Sequence, residues 1–331
     1  MKKILMIATG GTIASVQEKG GLTPKITSEE ILNYIPDVKK YCKIETIQLF
    51  NIDSTNLYCK HWLKIKDCIK ENYDKYDGFV VTHGTDTMAY TAAALSYLIQ
   101  KSPKPIVITG SQISIANENT DARDNLLNAF IYASNHKATG VHIVFDNKVI
   151  LGTRARKSRT KSYNAFSSVD YPEIAVFRDH FLIFYIDEQK PKDGPVFYNK
   201  MNEHVFVLKM IPGIKPEIFD YLKAYYDAII IESFGVGGVP SYGNDDFKKA
   251  IEAFVSEGKT VVVTTQVAHE GSDMEVYAVG QSIKQELSLI EAFDMTTEAI
   301  VTKLMWILGC TKKQKEIRSL FYTSVAKDIL F

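Results

Sequence analysis

K-I-L-M-I-A-T-G-G-T-I-A-S, from Lys3 to Ser15, is an apolar run that stops at a pair of glycines. Ile4 to Ala8 shows no polar alternation, so it suits a short strand buried on both faces of a parallel sheet. In such sheets ligands gather beyond the carboxyl ends of the strands, which makes Thr9–Ser15 the place to look for a site. Gly10 and Gly11 allow close approach of backbone to ligand. The Thr12 hydroxyl follows directly and can face the same crevice. Neither a Walker loop nor a G-x-G-x-x-G spacing is present. An ordinary strand-to-loop turn, with Thr12 bonding the backbone, fits this one motif equally well.

Working outward, the same rhythm recurs. Lys3–Ala8, Gly78–Thr82, Pro105–Thr109 and Val141–Phe145 read as buried strands. Ser28–Tyr34, His61–Asn72, Met88–Gln100 and Asp121–Asn135 carry helical periodicity between them. This alternation implies an α/β fold with a larger N-terminal domain on a mostly parallel sheet, residues 1–185. The polar, proline-containing stretch at residues 186–203 is expected to connect it to a smaller C-terminal α/β domain, residues 204–331. There Val205–Met210, Ala228–Glu232 and Thr260–Thr264 read as strands, and Pro216–Tyr225, Asp245–Glu257 and Thr296–Leu308 as helices.

Strand Gly78–Thr82 ends in H-G-T-D-T-M-A-Y, His83 to Tyr90. It is a second buried strand followed by glycine, threonine and the start of a helix. The positive end of that helix would favour a carboxylate or an oxyanion. Asp86 can cap the helix or serve a site beside Thr85. Two Gly-Thr turns after two buried strands favour the site.

These two motifs resemble the paired signatures of the bacterial-type L-asparaginases and glutaminases. The resemblance extends through T-G-S-Q (Thr109–Gln112), N-L-L-N-A (Asn125–Ala129), Arg154–Phe166, S-F-G-V-G (Ser233–Gly237) and D-M-T-T-E-A (Asp294–Ala299). The missing leader, T-G-S-Q and D-M-T-T-E-A make the chain similar to the cytoplasmic type I branch. The resemblance implies that Thr12 is the nucleophile attacking the amide carbon of L-asparagine. It implies that Thr85, beside Lys157, serves the second half of the reaction, since a lysine held against a hydroxyl can relay its proton. Backbone N–H groups near Thr12 and Thr85 would form the oxyanion hole. Asp86 would pair with the α-ammonium and Ser54 with the α-carboxylate, with Thr55 beside it. Gly11 and Gly84 complete the implied substrate contacts. No cofactor or metal is implied, and a homo-oligomer, a dimer or a dimer of dimers, is.

The chain also departs from the pattern. The loop tyrosine that many members set against the nucleophile corresponds here to Leu22, which cannot take a proton. Tyr277, in M-E-V-Y-A-V-G, is the candidate replacement. The loop around Gly20 and Gly21 still reads as a lid. An effector site in some type I enzymes uses an arginine where this chain has Glu232, and a cysteine where it has Val267. A carboxylate there would repel the effector's carboxylate, so asparagine saturation is expected to be hyperbolic. Glu298 reads as a helix-start acid.

Composition narrows the remaining alternatives. Over 331 residues, 39 Lys+Arg balance 39 Asp+Glu, which gives no reason to expect binding to nucleic acid or an anionic membrane. The apolar run at the N-terminus is shorter than the roughly 7–15 residues of a signal peptide core, and no stretch nears the ~20 of a membrane span. Cys42, Cys59, Cys68 and Cys310 lack paired spacing and read as reduced thiols in a cytoplasm. The seven histidines are scattered, which speaks against a metal site. Ser111 lacks the G-x-S-x-G context of an elbow nucleophile. Arg154, Arg156, Lys157, Arg159 and Lys161 would otherwise read as a phosphate-binding loop. Two rival functions stay open: an ammonia-supplying amidotransferase component, for which no RNA-handling extension is visible, and a non-catalytic α/β binding module.

Overall fold

Runs of Ile and Val without polar alternation become strands covered on both faces, and the sheet they form places the two glycine turns. The computed structural model describes residues 1–18, 21–240, 245–276, 281 and 284–330, in two units, Met1–Asn199 and Lys200–Phe331.

In the first unit, eight strands form one sheet. From one edge to the other they are Phe181–Phe184, Ala175–Arg178, Lys148–Leu151, Val141–Phe145, Ile106–Thr109, Gly78–Thr82, Lys2–Gly10 and Cys42–Ile52. The last five named are mutually parallel, and the first three add antiparallel pairings at one side. Helices Cys59–Asn72, Met88–Leu98 and Ala122–Ser134 make the crossovers. The shorter helix Ser28–Asn33 begins with a reciprocal cap between Thr27 and Glu30.

Register does the positioning. Ala8 lies opposite Thr82, and Thr82 opposite Thr109, so three strands reach their carboxyl ends within two residues of one another. The turns beginning at Gly11, His83 and Gly110 therefore leave the sheet side by side. On the other flank Gly10 lies opposite Ile52, after an irregularity between Ala8 and Gly10, and this brings Asp53 and Ser54 to the same edge. The backbone ladder thus gathers four turns at the carboxyl end of the sheet.

The stretch 186–203, read as a connection, is largely bound to the first unit. Val196–Phe197 pairs antiparallel with Ile99–Gln100. Glu188 reaches the buried His142 at 2.9 Å, and the buried Lys66 donates to Asn199 at 2.8 Å. Its polar sequence serves side-chain anchors, a use that periodicity alone does not reveal.

The second unit holds a four-stranded parallel sheet, in the order Val205–Lys209, Ala228–Ser233, Thr260–Thr265, Ile290–Glu291. Helices Ile218–Tyr225, Asp246–Ser256, Thr297–Cys310 and Gln314–Tyr322 accompany it. Phe219, Leu222, Phe247, Ile251 and Phe254 pack against the sheet's Ile229, Ile231, Val261 and Val263. This two-domain α/β architecture is the one the alternation of elements implied.

Candidate active site

The first turn leaves strand Lys2–Gly10 through Gly11, at φ 81° and ψ −177°, into a single 3-10 turn over Thr12–Ala14. That conformation is essentially reserved for glycine. Ser15 Oγ donates to Gly11 O at 2.9 Å, and Gly11 N–H donates to Ile52 O at 3.1 Å, so the turn is tied at both sides. A Cβ on Gly11 would lie 2.4 Å from Cα and N of Gly84. The two Gly-Thr turns therefore meet backbone to backbone.

The second turn is locked from beneath by His83, which is fully buried. One ring nitrogen lies 2.7 Å from Gly84 O and the other 2.8 Å from the Thr91 hydroxyl, which also accepts from Trp62 Nε1 at 2.9 Å. Burial pushes the imidazole pKa down to about 4, opposed by its bond to the Gly84 carbonyl. It stays neutral and holds the turn's shape. Thr87 Oγ1 donates to Ser54 O at 2.8 Å, joining this turn to the Asp53–Ser54 loop.

Gly11, Thr12, Ser15, Asp53, Ser54, Gly84, Thr85 and Asp86 line one cleft. Lys157, from strand Ala155–Lys157, enters with Nζ donating to Thr85 Oγ1 at 2.8 Å and to Asp86 Oδ1 at 2.6 Å. The Asp86 side chain is 58% exposed, so this ion pair adds little stability and acts mainly to position the lysine. Asp86 does not cap helix Met88–Leu98; Thr87 is its N-cap residue and makes no side-chain cap. The Thr85 hydroxyl donates onward to Gln112 Oε1 at 3.2 Å. Among the described residues the Thr12 hydroxyl takes no hydrogen bond.

The structure thus brings together Gly11, Thr12, Ser54, Gly84, Thr85, Asp86 and Lys157. Thr55 is turned aside: it is exposed, and its N–H and hydroxyl both bond Asp53 Oδ1, at 2.9 and 2.8 Å. Tyr277 lies outside the described residues, as do the Leu22 side chain and Gly20. Among the basic residues of 154–161, Arg154 is fully buried, and Arg159 is exposed and donates to Asn164 O. Among the described residues, no three His, Cys, Asp or Glu side chains gather where they could hold a metal ion, and no helix is long and apolar enough to cross a membrane.

Three cleft neighbours are not singled out by their motifs: Ser15, Asp53 and Gln112. Gln112 has a sequence signal, because T-G-S-Q follows a third buried strand, Ile106–Thr109. Its turn is fastened by Asp121, whose carboxylate accepts the N–H groups of Gln112 (2.9 Å) and Ile113 (3.0 Å) and the Asn125 amide (3.1 Å). Burial raises the Asp121 carboxyl pKa, and these donors partly offset it.

With this geometry in view, comparison with known proteins is direct. Residues 3–189 match the family described as Asparaginase, N-terminal, and residues 204–321 the Glutaminase/Asparaginase C-terminal domain. The chain is 37% identical over 333 residues to the L-asparaginase of Thermococcus kodakarensis, with 99% of each chain covered. A solved structure of the thermostable L-asparaginase from that organism superposes with a TM-score of 0.92 at 35% identity, covering 99% of both chains. Identity to a glutamyl-tRNA(Gln) amidotransferase component of Metallosphaera sedula is 34%, over 98% of this chain and 76% of that one. Two matched domains spanning most of the chain, and relatives alike along its whole length, lead to one conclusion: the chain belongs to the asparaginase family.

Proposed function

We propose that the chain hydrolyses L-asparagine to L-aspartate and ammonia through an acyl-enzyme on Thr12. The observation that carries this reading is the meeting of Thr12 and Thr85 in one cleft, with Lys157 bonded to Thr85 and Asp86. Thr12 Oγ attacks the side-chain amide carbon, and its proton passes to the departing nitrogen as ammonia leaves. The N–H of Gly11 is already bonded to Ile52 O, so the N–H groups of Thr12 and Thr85 are the donors offered to the oxyanion. A water oriented by Thr85 and Lys157 then attacks the ester, its proton returning to Thr12 Oγ as aspartate is released. Asp86 holds the α-ammonium and Ser54 the α-carboxylate, which fixes the amide over Thr12.

Ammonia release from L-asparagine by the purified chain tests the reading, with Thr12→Ala and Thr85→Val each expected to abolish it. Activity surviving in Thr12→Ala would sink the acyl-enzyme. L-Glutamine is expected as a weak second substrate, because one methylene is worth only ~1–3 kcal/mol of discrimination. We further propose a cytoplasmic homodimer or dimer of dimers that works without cofactor. The similarity to the amidotransferase component supports a second reading, in which the same cleft supplies ammonia to a partner protein. In that case turnover of the purified chain would rise steeply on adding that partner.

A further inference from the structure

The four-stranded sheet of the second unit has an uneven edge. Strand Thr260–Thr265 is six residues long, yet its outer neighbour Ile290–Glu291 pairs only with Val262 and Val263. Ser288, at φ 52°, turns the chain just before that strand, and among the described residues Thr260 and Val261 have no ladder partner on this side. Helix Gln314–Tyr322 lies over the gap, where Gln314 and Arg318, four residues apart, share one helix face. The result is a cavity of about 330 Å3, at the small end of the range for small-molecule sites.

Its lining has a marked chemical bias. Val255, Val261, Leu287, Leu289 and Ile290 supply an aliphatic wall without an aromatic ring. Lys259, Lys315 and Arg318 supply the charge, and among the described residues no Asp or Glu lines the cavity. Among the described residues none of these three cations is paired with a carboxylate. Lys259 Nζ is held by the carbonyls of Lys223 and Tyr226. Arg318 donates to the carbonyls of Ser288 and Leu289 at 3.1 Å through Nη1, and its guanidinium lies 5.4 Å from the centroid of the Tyr322 ring; among the described residues its Nε and Nη2 make no hydrogen bond. The nearest acid along the helix, Glu316, is turned to Thr311 and Lys313. Elsewhere in this neutral chain cations such as Lys284, Lys303 and Lys312 have acid partners.

We propose that this cavity binds a small aliphatic carboxylate, of the medium-chain fatty acid class, with its hydrocarbon on the Val261–Leu289–Ile290 wall and its head group on Arg318 and Lys315. The planar guanidinium fork matches a carboxylate, and the wall removes the alkyl chain from water. The assignment is independent of the asparaginase reading, because it uses residues of the second unit alone.

Titration calorimetry of the full chain with octanoate tests it, with 1-octanol as the uncharged counterpart. Saturable one-to-one binding of octanoate is expected, weaker by at least about ten-fold for octanol. Arg318→Gln should weaken octanoate by a similar factor. Because Arg318 also braces two carbonyls, Lys315→Gln, at an exposed side chain, provides a second reading and should weaken octanoate several-fold without altering the melting temperature. Three results would each overturn the proposal: no saturable binding at millimolar octanoate, equal binding of octanol, or unchanged octanoate affinity in both variants.

Discussion

Replacing Gly11 with alanine asks whether backbone contact between the two turns sets the catalytic geometry. At φ 81° and ψ −177°, a residue other than glycine costs on the order of 1–3 kcal/mol. The new methyl would sit 2.4 Å from Cα and N of Gly84, about 1 Å inside the ~3.5 Å at which carbon atoms rest. Neither side can easily retreat, since Gly11 N–H is held by Ile52 O at 3.1 Å and His83 N–H by Thr109 O at 2.8 Å. Overpacking of this kind adds about 1–3 kcal/mol. A combined loss near 4 kcal/mol corresponds to a fall of roughly 8–16 °C in melting temperature for a unit of this size. Any separation of the turns that relieves the clash moves Thr12 relative to Thr85, and a displacement of about 1 Å costs on the order of 100-fold in rate. Both quantities are measurable on one sample, by ammonia release from L-asparagine and by circular dichroism on heating. A variant keeping kcat within about three-fold and Tm within about 2 °C would refute the reasoning, because the turns would then not be in fixed contact.

Other outcomes follow from single features. The imidazole of His83 is held down at about 4 in the folded chain, against about 6.5 when unfolded. Its contribution to stability is complete above about pH 6.5 and is lost as pH falls through 4, amounting to roughly 3 kcal/mol in all and about 2 kcal/mol between pH 7 and pH 4.5; urea unfolding at those two pH values should lose that smaller difference in His83→Gln, and an equal pH dependence would contradict it. Lys303 and Asp328 form a fully buried ion pair at 2.7 Å. Lys303→Met alone should cost about 3–5 kcal/mol, and the double change with Asp328→Leu should recover most of it; chemical denaturation in which the double variant is no better than the single would reject the pairing as the cause. Glu232 is buried and accepts from the Thr297 hydroxyl at 2.7 Å, and on the family resemblance it occupies the position at which an effector-binding arginine is expected. Initial rates against asparagine should therefore be hyperbolic, and a sigmoidal curve would count against this.

The central parallel strands were legible because unbroken Ile and Val runs leave little else for them to be. The threonine turns were legible because each run stops at glycine. Strand Cys42–Ile52 was not, since it is an edge strand whose polar residues alternate with Ile and Leu. The antiparallel hairpin Ala175–Arg178 and Phe181–Phe184 is equally hidden, being short and half exposed. Within the cleft, residue types pointed to Thr12, Thr85 and Asp86, while Ser54 and Lys157 came only with the resemblance. Thr55 and Gln112 show the limit of such reading. Neighbouring hydroxyls in N-I-D-S-T-N look alike on paper, and only the Asp53 bond shows that one of them faces away. T-G-S-Q is conspicuous in the sequence, but that Gln112 accepts from the Thr85 hydroxyl follows only from the strand register that sets the two turns side by side.

That three strands lie in register at Ala8, Thr82 and Thr109, at or within two residues of their ends, bears on how such a chain tolerates change. Inserting one residue within Gly78–Thr82 would slide the second turn along the sheet by about 3.3 Å and reverse its facing. An insertion at the far ends of the crossover helices would leave the strand tips untouched. Length variation should thus accumulate at one pole of the first unit, while the opposite pole permits exchange of side chains but not of spacing.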